Sequence, residues 1–178
     1  GKSIDYVKNS KTRPLKDIVK ENIFNILNHS NFFKINLINS KVLDVYSGFG
    51  SFGLECLSRS VKKVTFIDRN SEAIKVLKKN LEKFSLLKKV SIEESEVETF
   101  LKNKKKEKYN IFFLDPPYAD KTFVDNLNTI KQNRMYEDKH IVIIHRETNT
   151  LDSLEDHINI ISTRKYGRSK IVFGLFTE

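Results

Sequence analysis

The sequence predicts a single α/β domain whose mainly parallel sheet is covered by helices on both faces. Strand-like apolar runs alternate with runs of helical periodicity between residues 41 and 146, which is the pattern of strands joined by crossover helices. The chain has 178 residues, of which 39% are hydrophobic, with 13 Phe. That length and composition suit one domain with a sizeable core, and no shift in composition predicts a second.

The elements follow from periodicity. Helical spacing of apolar residues predicts a first helix over residues 14–28, with Pro14 in its first turn. The predicted strands that follow are Lys41–Tyr46, Lys63–Asp68, Lys89–Glu93, Tyr109–Asp115 and His140–Arg146. The predicted helices between them are Ser51–Arg59, Ser71–Phe84 with Ser71 as its cap, Val97–Lys102 and Thr122–Gln132.

The end of the chain departs from this alternation. Two strand-like runs, 158–166 and 169–177, are joined at Gly167-Arg168, which indicates a hairpin. The last strand is therefore expected to run antiparallel within the sheet.

Composition limits the partners and the compartment. The net charge of +9 favours a polyanionic partner, although a lysine-rich solubilising surface would give the same charge. The single cysteine, Cys56, excludes an internal disulfide and a cysteine-rich zinc cluster, and no metal site is expected. Neither an apolar run of about 18 residues nor a signal peptide is visible, so no membrane association and a cytoplasmic location are expected.

A glycine-rich loop, Gly48–Gly53, leaves the first predicted strand and opens the next helix. Its G-x-G-x-x-G spacing also satisfies the dinucleotide fingerprint, and a tight turn without a ligand is a further alternative. Asp44, on the strand four residues before Gly48, separates these possibilities. A carboxylate there can bind the ammonium group of an amino-acid-like cofactor, whereas a pyrophosphate would gain nothing from it.

Two further acidic residues follow strand ends. Asp68 ends the second predicted strand, where a carboxylate can accept both ribose hydroxyls; NAD would offer the same hydroxyls, and a helix cap is an alternative. Glu96 follows the third strand and can accept a hydrogen bond from an adenine amine, or it can belong to a solvated acidic face. Tyr46 and Arg69 adjoin these positions and complete the candidate cofactor site.

The most specific motif is Asp115-Pro116-Pro117-Tyr118, at the end of the fourth predicted strand. An exocyclic amine of a nucleic-acid base is a poor nucleophile, because its lone pair is delocalised into the ring. Acceptors for both N–H groups free that lone pair, and the Asp115 carboxylate and the Pro116 carbonyl can supply them. Tyr118 can stack on an extruded base. With a sulfonium methyl donor the reaction needs no metal. A plain proline turn capped by Asp115 is the alternative.

These motifs resemble those of class I methyltransferases that carry a D/N-P-P-Y/F motif, and within them the RsmD family of bacterial small-subunit ribosomal RNA guanine-N2 methyltransferases. The similarity covers most of the chain: residues 12–27, the loop Asp44–Glu55 with Leu57-Ser58-Arg59 after it, the Asp115–Tyr118 motif, and Tyr166-Gly167-Arg168 in the hairpin. Phe49 between the glycines and Glu96 in place of the usual Asp are departures. The basic N-terminal strand of the family is reduced to Gly1-Lys2-Ser3, so a truncated N-terminus is expected.

The resemblance implies a Rossmann-like, seven-stranded sheet, S-adenosylmethionine as methyl donor, and the N2 amine of a guanine in 16S ribosomal RNA as target. The substrate would be that RNA alone or an assembling small ribosomal subunit, and a monomeric enzyme is expected. By the same resemblance Asp44, Gly48 and Gly50 line the methionine end of the cofactor. Asp68 would hold the ribose and Glu96 the adenine.

Residues 1–13 are expected to form an RNA-contacting segment before a single methyltransferase domain, residues 14–178. Arg13 precedes the first predicted helix, where a cation gains nothing from the helix dipole, so a phosphate or base contact would explain it. Lys16 and Arg168 are predicted to join Arg13 in RNA binding. The other basic residues of this hypothetical surface are Lys8, Lys11, Arg164 and Lys165.

Other functions stay open at this point. The same motif serves adenine N6 and cytosine N4 in DNA or RNA. An NAD-binding oxidoreductase would leave Asp44 and the Pro-Pro-Tyr sequence unexplained, and a noncatalytic RNA-binding module would not need Asp115 and Tyr118. His145 lies in a strand pattern and is expected to be a satisfied side chain rather than a catalyst.

Overall fold

The computed structural model describes residues 3–6, 15–103 and 107–177 of the chain. The helices are α1 (Asp17–His29), α2 (Ser51–Ser58), α3 (Ser71–Lys83), α4 (Val97–Asn103) and α5 (Phe123–Gln132), with short 3₁₀ turns at Leu37–Asn39 and Leu87–Lys89. The strands are β1 (Lys41–Val45), β2 (Lys63–Asp68), β3 (Val90–Glu94), β4 (Tyr109–Leu114), β5 (Tyr136–Glu147), β6 (Asn159–Tyr166) and β7 (Ser169–Leu175).

The seven strands form one sheet in the order β3-β2-β1-β4-β5-β7-β6. Strands β1 to β5 pair in parallel, and β7 runs antiparallel to both β5 and β6, which confirms the predicted sheet and its terminal hairpin. Val45 of β1 lies beside Leu114 of β4, so these two strands end at the same edge of the sheet. Ligands bind beyond the carboxyl ends of the strands in such open α/β sheets.

Helices cover both faces of the sheet. On one face α1, α2 and α3 pack onto side chains such as Phe66 and Ile111. On the other face α4 and α5 pack onto side chains such as Leu43 and Phe112. Successive strand residues point to opposite faces, and a strand that is buried on both of them is a nearly continuous apolar run.

One predicted helix start and one predicted helix cap are wrong. The first helix begins at Asp17 with Lys16 in the N-cap position, and Pro14 lies outside the described residues. The cap of α3 is Asn70 rather than Ser71, because the Asn70 side chain accepts a hydrogen bond from the backbone N–H of Ala73 at 3.1 Å.

The fifth strand is longer than its apolar run. It begins at Tyr136, four residues before the predicted start at His140, because Tyr136 pairs with Tyr109 of β4 ahead of a register shift. Its opposite end carries His145, Arg146 and Glu147 to the edge where β1 and β4 also end.

The predicted N-terminal segment is described only over residues 3–6. There the backbone N–H of Asp5 donates to Oδ1 of Asn80 in α3 at 2.9 Å, and Nδ2 of Asn80 donates to the Asp5 carbonyl at 3.1 Å. Arg13, Lys8 and Lys11 lie outside the described residues. Within the described ranges, no helix has both the length and the apolar character that crossing a membrane requires.

Candidate active site

A cleft of about 1390 Å³ opens at the carboxyl ends of β1, β2 and β4. It brings together most of the residues that the sequence singles out, namely Lys16, Asp44, Tyr46, Gly48, Asp68, Arg69, Glu96, Asp115, Pro116, Pro117, Tyr118 and Arg168. The glycine loop and the Asp-Pro-Pro-Tyr motif therefore face the same gap. The backbone N–H of Asp115 donates to the carbonyl of Val45 at 3.3 Å, so the Asp115 motif is bonded to the end of the strand that leads into the glycine loop.

The glycine loop turns sharply between β1 and α2. Gly48 has a φ of +53°, which glycine adopts readily, and its N–H donates to Oδ2 of Asp68 at 2.7 Å. The resemblance implies that Gly50 lines the cofactor site, but in the structure Gly50 is not among the residues that line the cleft. A Cβ on Gly50 would lie 2.4 Å from Cδ1 of Leu77 and 3.1 Å from Cε1 of Phe66, so this glycine lets the turn pack closely against the core.

Asp44 lies at the bottom of the cleft and is 1% exposed. Its Oδ2 accepts a hydrogen bond from the N–H of Gly53 at 2.9 Å. Burial raises the pKa of the Asp44 carboxyl well above its usual value; the Gly53 N–H opposes this, and the charges of Asp115 and Asp68 add to it. A cation beside Asp44 would favour the ionised carboxylate, so this position suits a positively charged ligand.

Charge is divided between the floor and the rim of the cleft. Asp44, Asp68 and Asp115 lie close enough for the last two to raise the pKa of the first. The basic residues Lys16, Arg69 and Arg168 also line the cleft but are exposed. An acidic floor attracts a cation and repels a pyrophosphate, whereas an exposed basic rim suits a polyanion. The charge distribution therefore fits a cationic cofactor and a nucleic-acid substrate.

Two serine hydroxyls in the cleft have no hydrogen-bond partner among the described residues. The Oγ atoms of Ser47 and Ser51 are both buried, and both residues line the cleft. A buried hydroxyl without a partner is costly, and Ser51 also begins α2, where backbone N–H groups favour an anion. The hydroxyls can serve the carboxylate of an amino acid and Asp44 its ammonium group, so these residues fit the methionine end of S-adenosylmethionine.

The side of the cleft at β2 and β3 carries the other predicted cofactor residues. Oδ1 of Asp68 accepts the N–H of Asn70 at 2.8 Å, so together with Gly48 both carboxylate oxygens are oriented by the backbone. Nη1 of Arg69 lies 3.3 Å from Oε1 of Glu96, and both side chains are more than half exposed. Glu96 thus reaches the cleft as half of a solvated ion pair.

Asp115 follows β4 directly and is partly exposed. Its Oδ1 lies 2.8 Å from Nδ1 of His145, and its Oδ2 has no hydrogen bond to any described residue, which leaves that oxygen available to a ligand. Tyr118 is 47% exposed. Its ring stands nearly perpendicular to that of His145, with 6.3 Å between the centroids.

Arg146 holds the backbone of the motif, although no pattern in the sequence identified it. The side chain is buried, and its guanidinium donates to the carbonyls of Pro117, Tyr118 and Asp120 at 3.0–3.1 Å. It also pairs with both carboxylate oxygens of Asp152, at 2.9 and 3.1 Å. The Pro116 carbonyl lies farther away, at 3.4 Å from Nη1, and a carbonyl oxygen has a second lone pair for another donor.

His145 and Ser169 also belong to the cleft. His145 is a satisfied side chain, as expected from its strand pattern, but the groups that satisfy it are Asp115 and Ser169. One feature of the sequence could have pointed to these residues: His145 and Arg146 lie at the end of the predicted strand that follows the Asp115 motif. Their use depends on β5 lying beside β4, which periodicity does not show.

Known proteins resemble this chain over nearly its whole length. The family model described as "Conserved hypothetical protein 95" matches residues 1–175. "Putative rRNA methyltransferase YlbH" of Bacillus subtilis (strain 168) is 33% identical, in an alignment that covers 93% of this chain and 87% of that protein. "Ribosomal RNA small subunit methyltransferase D" of Haemophilus influenzae is 30% identical, over 83% of this chain and 74% of that protein.

Solved structures agree on the fold. The crystal structure of HI0767 from Haemophilus influenzae superposes with a TM-score of 0.76 at 24% identity, covering 91% of this chain and 98% of that one. The structure of the yhhF protein from Escherichia coli superposes with a TM-score of 0.78 at 24% identity, covering 92% of this chain and 89% of that one. The family match shows that the chain belongs to the Conserved hypothetical protein 95 family. Together with the named relatives and the two motifs in the cleft, it identifies the chain as an RsmD-like class I methyltransferase.

Proposed function

We propose that this protein transfers a methyl group from S-adenosylmethionine to the N2 amine of a guanine in 16S ribosomal RNA. The observation that carries the proposal is the shared cleft, in which Asp115 at the end of β4 faces the acidic cradle formed by Asp44 and the Gly48 turn. The relatives named as ribosomal RNA small subunit methyltransferases D support the ribosomal RNA substrate.

The cofactor would occupy the half of the cleft at β1 and β2. When bound, S-adenosylmethionine supplies an electrophilic methyl group on a sulfonium, so the protein has mainly to bind and orient. Asp44 would hold the ammonium group, Asp68 the ribose hydroxyls, and Glu96 the adenine amine. The acidic floor complements the net positive charge of this cofactor, which is the physical argument against NAD at the same site.

The base would occupy the half of the cleft at β4 and β5. The Oδ2 atom of Asp115 would accept one N–H of the amine and the Pro116 carbonyl the other, which directs the nitrogen lone pair toward the methyl group. As the nitrogen gains positive charge during the transfer, the Asp115 carboxylate stabilises it and accepts the departing proton. Tyr118, half-exposed at the mouth of the cleft, would stack on the extruded base.

The experiment is transfer of tritiated methyl groups to small ribosomal subunits and to free 16S ribosomal RNA that lack the modification, followed by nucleoside analysis. We expect the label in N2-methylguanosine. Label in N6-methyladenosine or N4-methylcytidine would still support binding of an amine by Asp115 and the Pro116 carbonyl, but it would reject guanine as the target. Absence of transfer to either substrate, with S-adenosylmethionine bound, would reject the proposed activity.

Asp115→Ala tests whether the Asp115 carboxylate binds the amine during methyl transfer. Loss of one fixed transition-state contact costs about 100–1000-fold in kcat, so we expect kcat to fall by that amount. The dissociation constant for S-adenosylmethionine, measured by calorimetry, should hardly change. Asp156→Ala, which removes an exposed turn carboxylate, is the control and should retain full turnover. Normal turnover by the Asp115 variant would eliminate the mechanism.

A further inference from the structure

Three side chains from three strand ends form a hydrogen-bonded chain in the cleft. Oδ1 of Asp115 lies 2.8 Å from Nδ1 of His145, and Nε2 of the same ring lies 3.0 Å from Oγ of Ser169. Asp115 follows β4, His145 lies two residues before the end of β5, and Ser169 begins β7. The His145 side chain is 10% exposed, whereas that of Asp115 is 28% exposed, so the chain runs from the open cleft into its wall.

The chemistry of the partners fixes the ring tautomer. An ionised carboxylate only accepts hydrogen bonds, so Nδ1 of His145 must carry a proton and donate it to Asp115. In the neutral ring Nε2 is then an acceptor, and it receives the hydroxyl proton of Ser169. The Ser169 hydroxyl can donate or accept, so it satisfies the tautomer that Asp115 selects.

This chain determines which carboxylate oxygen faces the ligand. With Oδ1 engaged by His145, rotation of the Asp115 carboxylate is restricted and Oδ2 stays free. The His145 ring also touches the edge of the Tyr118 ring. One buried side chain therefore orients both the carboxylate and the aromatic ring that would contact the base.

We propose that His145 is a positioning residue for methyl transfer: it holds Asp115 so that Oδ2 meets the substrate amine, and Ser169 supports the far side of the His145 ring. The proposal rests on the proposed function and adds residues from β5 and β7 to the same site.

The Asp–His–Ser order also occurs in hydrolases, where the serine is the nucleophile. That role needs backbone N–H donors aimed at a developing oxyanion. Ser169 instead begins β7, where its backbone is paired between Glu147 of β5 and Tyr166 of β6, and its hydroxyl is bonded to the His145 ring. The surroundings of Ser169 thus favour a positioning role for the chain.

The test compares three substitutions at one position. His145→Ala should lower kcat about 10–100-fold, the usual cost of a misplaced reacting group, with the dissociation constant for S-adenosylmethionine unchanged. His145→Asn places an amide N–H close to the position of Nδ1 and should restore most of kcat. His145→Gln places its amide near the position of Nε2, away from Asp115, and should not. Equal losses for Asn and Gln would overturn the proposal.

Controls separate positioning from stability and from the underlying activity. His157→Ala removes a ring whose Nδ1 lies 2.7 Å from Oδ1 of Asn128 outside the cleft, and it should leave kcat unchanged. Ser169→Ala should cost less than His145→Ala; a larger loss would indicate a nucleophilic serine and would overturn the proposal. If the unaltered protein transfers no methyl group, the proposed function is wrong. If the unaltered protein is active and His145→Ala has the same kcat, only the positioning role of His145 is wrong.

Discussion

The two halves of the cleft are held in place by different means. In the half that would bind the cofactor, the carboxylates of Asp44 and Asp68 accept N–H groups of Gly53 and Gly48, from 9 and 20 residues away. In the half that would bind the base, Asp115 and the loop after it are held by side chains of the neighbouring strand β5, from 26 to 30 residues away.

The difference follows from the composition of the two loops. A glycine-rich turn at a helix start has free backbone N–H groups, so it can orient acidic side chains by itself. The loop that begins with Asp115 contains Pro116 and Pro117, which have no N–H. Its carbonyls therefore depend on a buried arginine from elsewhere in the sheet. Changes in the first half should alter cofactor affinity, and changes in the second should alter turnover or the stability of the loop.

The largest effect is expected from Arg146→Met. Methionine keeps much of the apolar stem but leaves the buried Asp152 carboxylate and the carbonyls of the motif loop without their donor. Breaking a buried ion pair by removing one partner costs about 3–5 kcal/mol, so we expect the free energy of unfolding in urea to fall by that amount. Arg59→Met is the control: it removes a partly exposed pair with Glu55 and should cost about 1 kcal/mol or less. Equal losses would show that the motif loop does not depend on Arg146.

A smaller effect is expected from Asp44→Asn in the other half. Hydrogen bonds to charged groups contribute about 1.5–3 kcal/mol, so the affinity for S-adenosylmethionine should fall about 10–100-fold while the loop at Asp115 stays intact. The unaltered protein should bind the cofactor more tightly as pH rises, because the raised pKa of Asp44 leaves it protonated in acid. Calorimetry at several pH values checks both effects; the Asn variant should lack this pH dependence, and an identical dependence in both proteins would contradict the role of Asp44.

The same substitution should stabilise the protein without its cofactor. The folded pKa of Asp44 lies above the unfolded one, so its contribution to stability is fully present below the unfolded pKa and is lost as pH rises through the folded pKa. Asn does not ionise and avoids that loss. The melting temperature of Asp44→Asn should therefore exceed that of the unaltered protein by a margin that grows with pH. A constant margin would show that the carboxyl is not the cause.

The smallest effects are expected at the exposed basic rim of the cleft. Lys16→Gln and Arg168→Gln should each weaken ribosomal RNA binding and lower the slope of log affinity against log salt by about 0.7 for each phosphate that the variant no longer neutralises. Lys139→Gln, at the opposite end of β5 from the cleft, is the charge-matched control. Filter binding at several salt concentrations checks this, and slopes equal to that of the control would exclude both residues from the RNA surface.

Features that depend on neighbours along the chain could be predicted from the sequence alone. Alternating apolar runs predicted the sheet and its two helical layers, and the Gly48 turn and the Asp115 motif were predicted at strand ends, where the structure has them. The misplaced cap at Ser71 and the late start of β5 are local errors. A serine and an asparagine cap equally well, and the register shift before Ile111 leaves no mark in hydropathy.

The meeting of particular strand ends is a property of the packed sheet and of no local pattern. The alternation of apolar and polar residues along a strand shows which face of the sheet each side chain occupies. It does not show which strands are neighbours, and the order of strands in the sheet decides which side chains become partners. For this reason the sequence alone could place Asp44 and Asp115 at strand ends beside one crevice, whereas it could not predict the bonds that join His145, Arg146 and Ser169 to the second motif. These bonds need β5 beside β4 and β7 beside β5, an arrangement that the packing of the whole sheet selects.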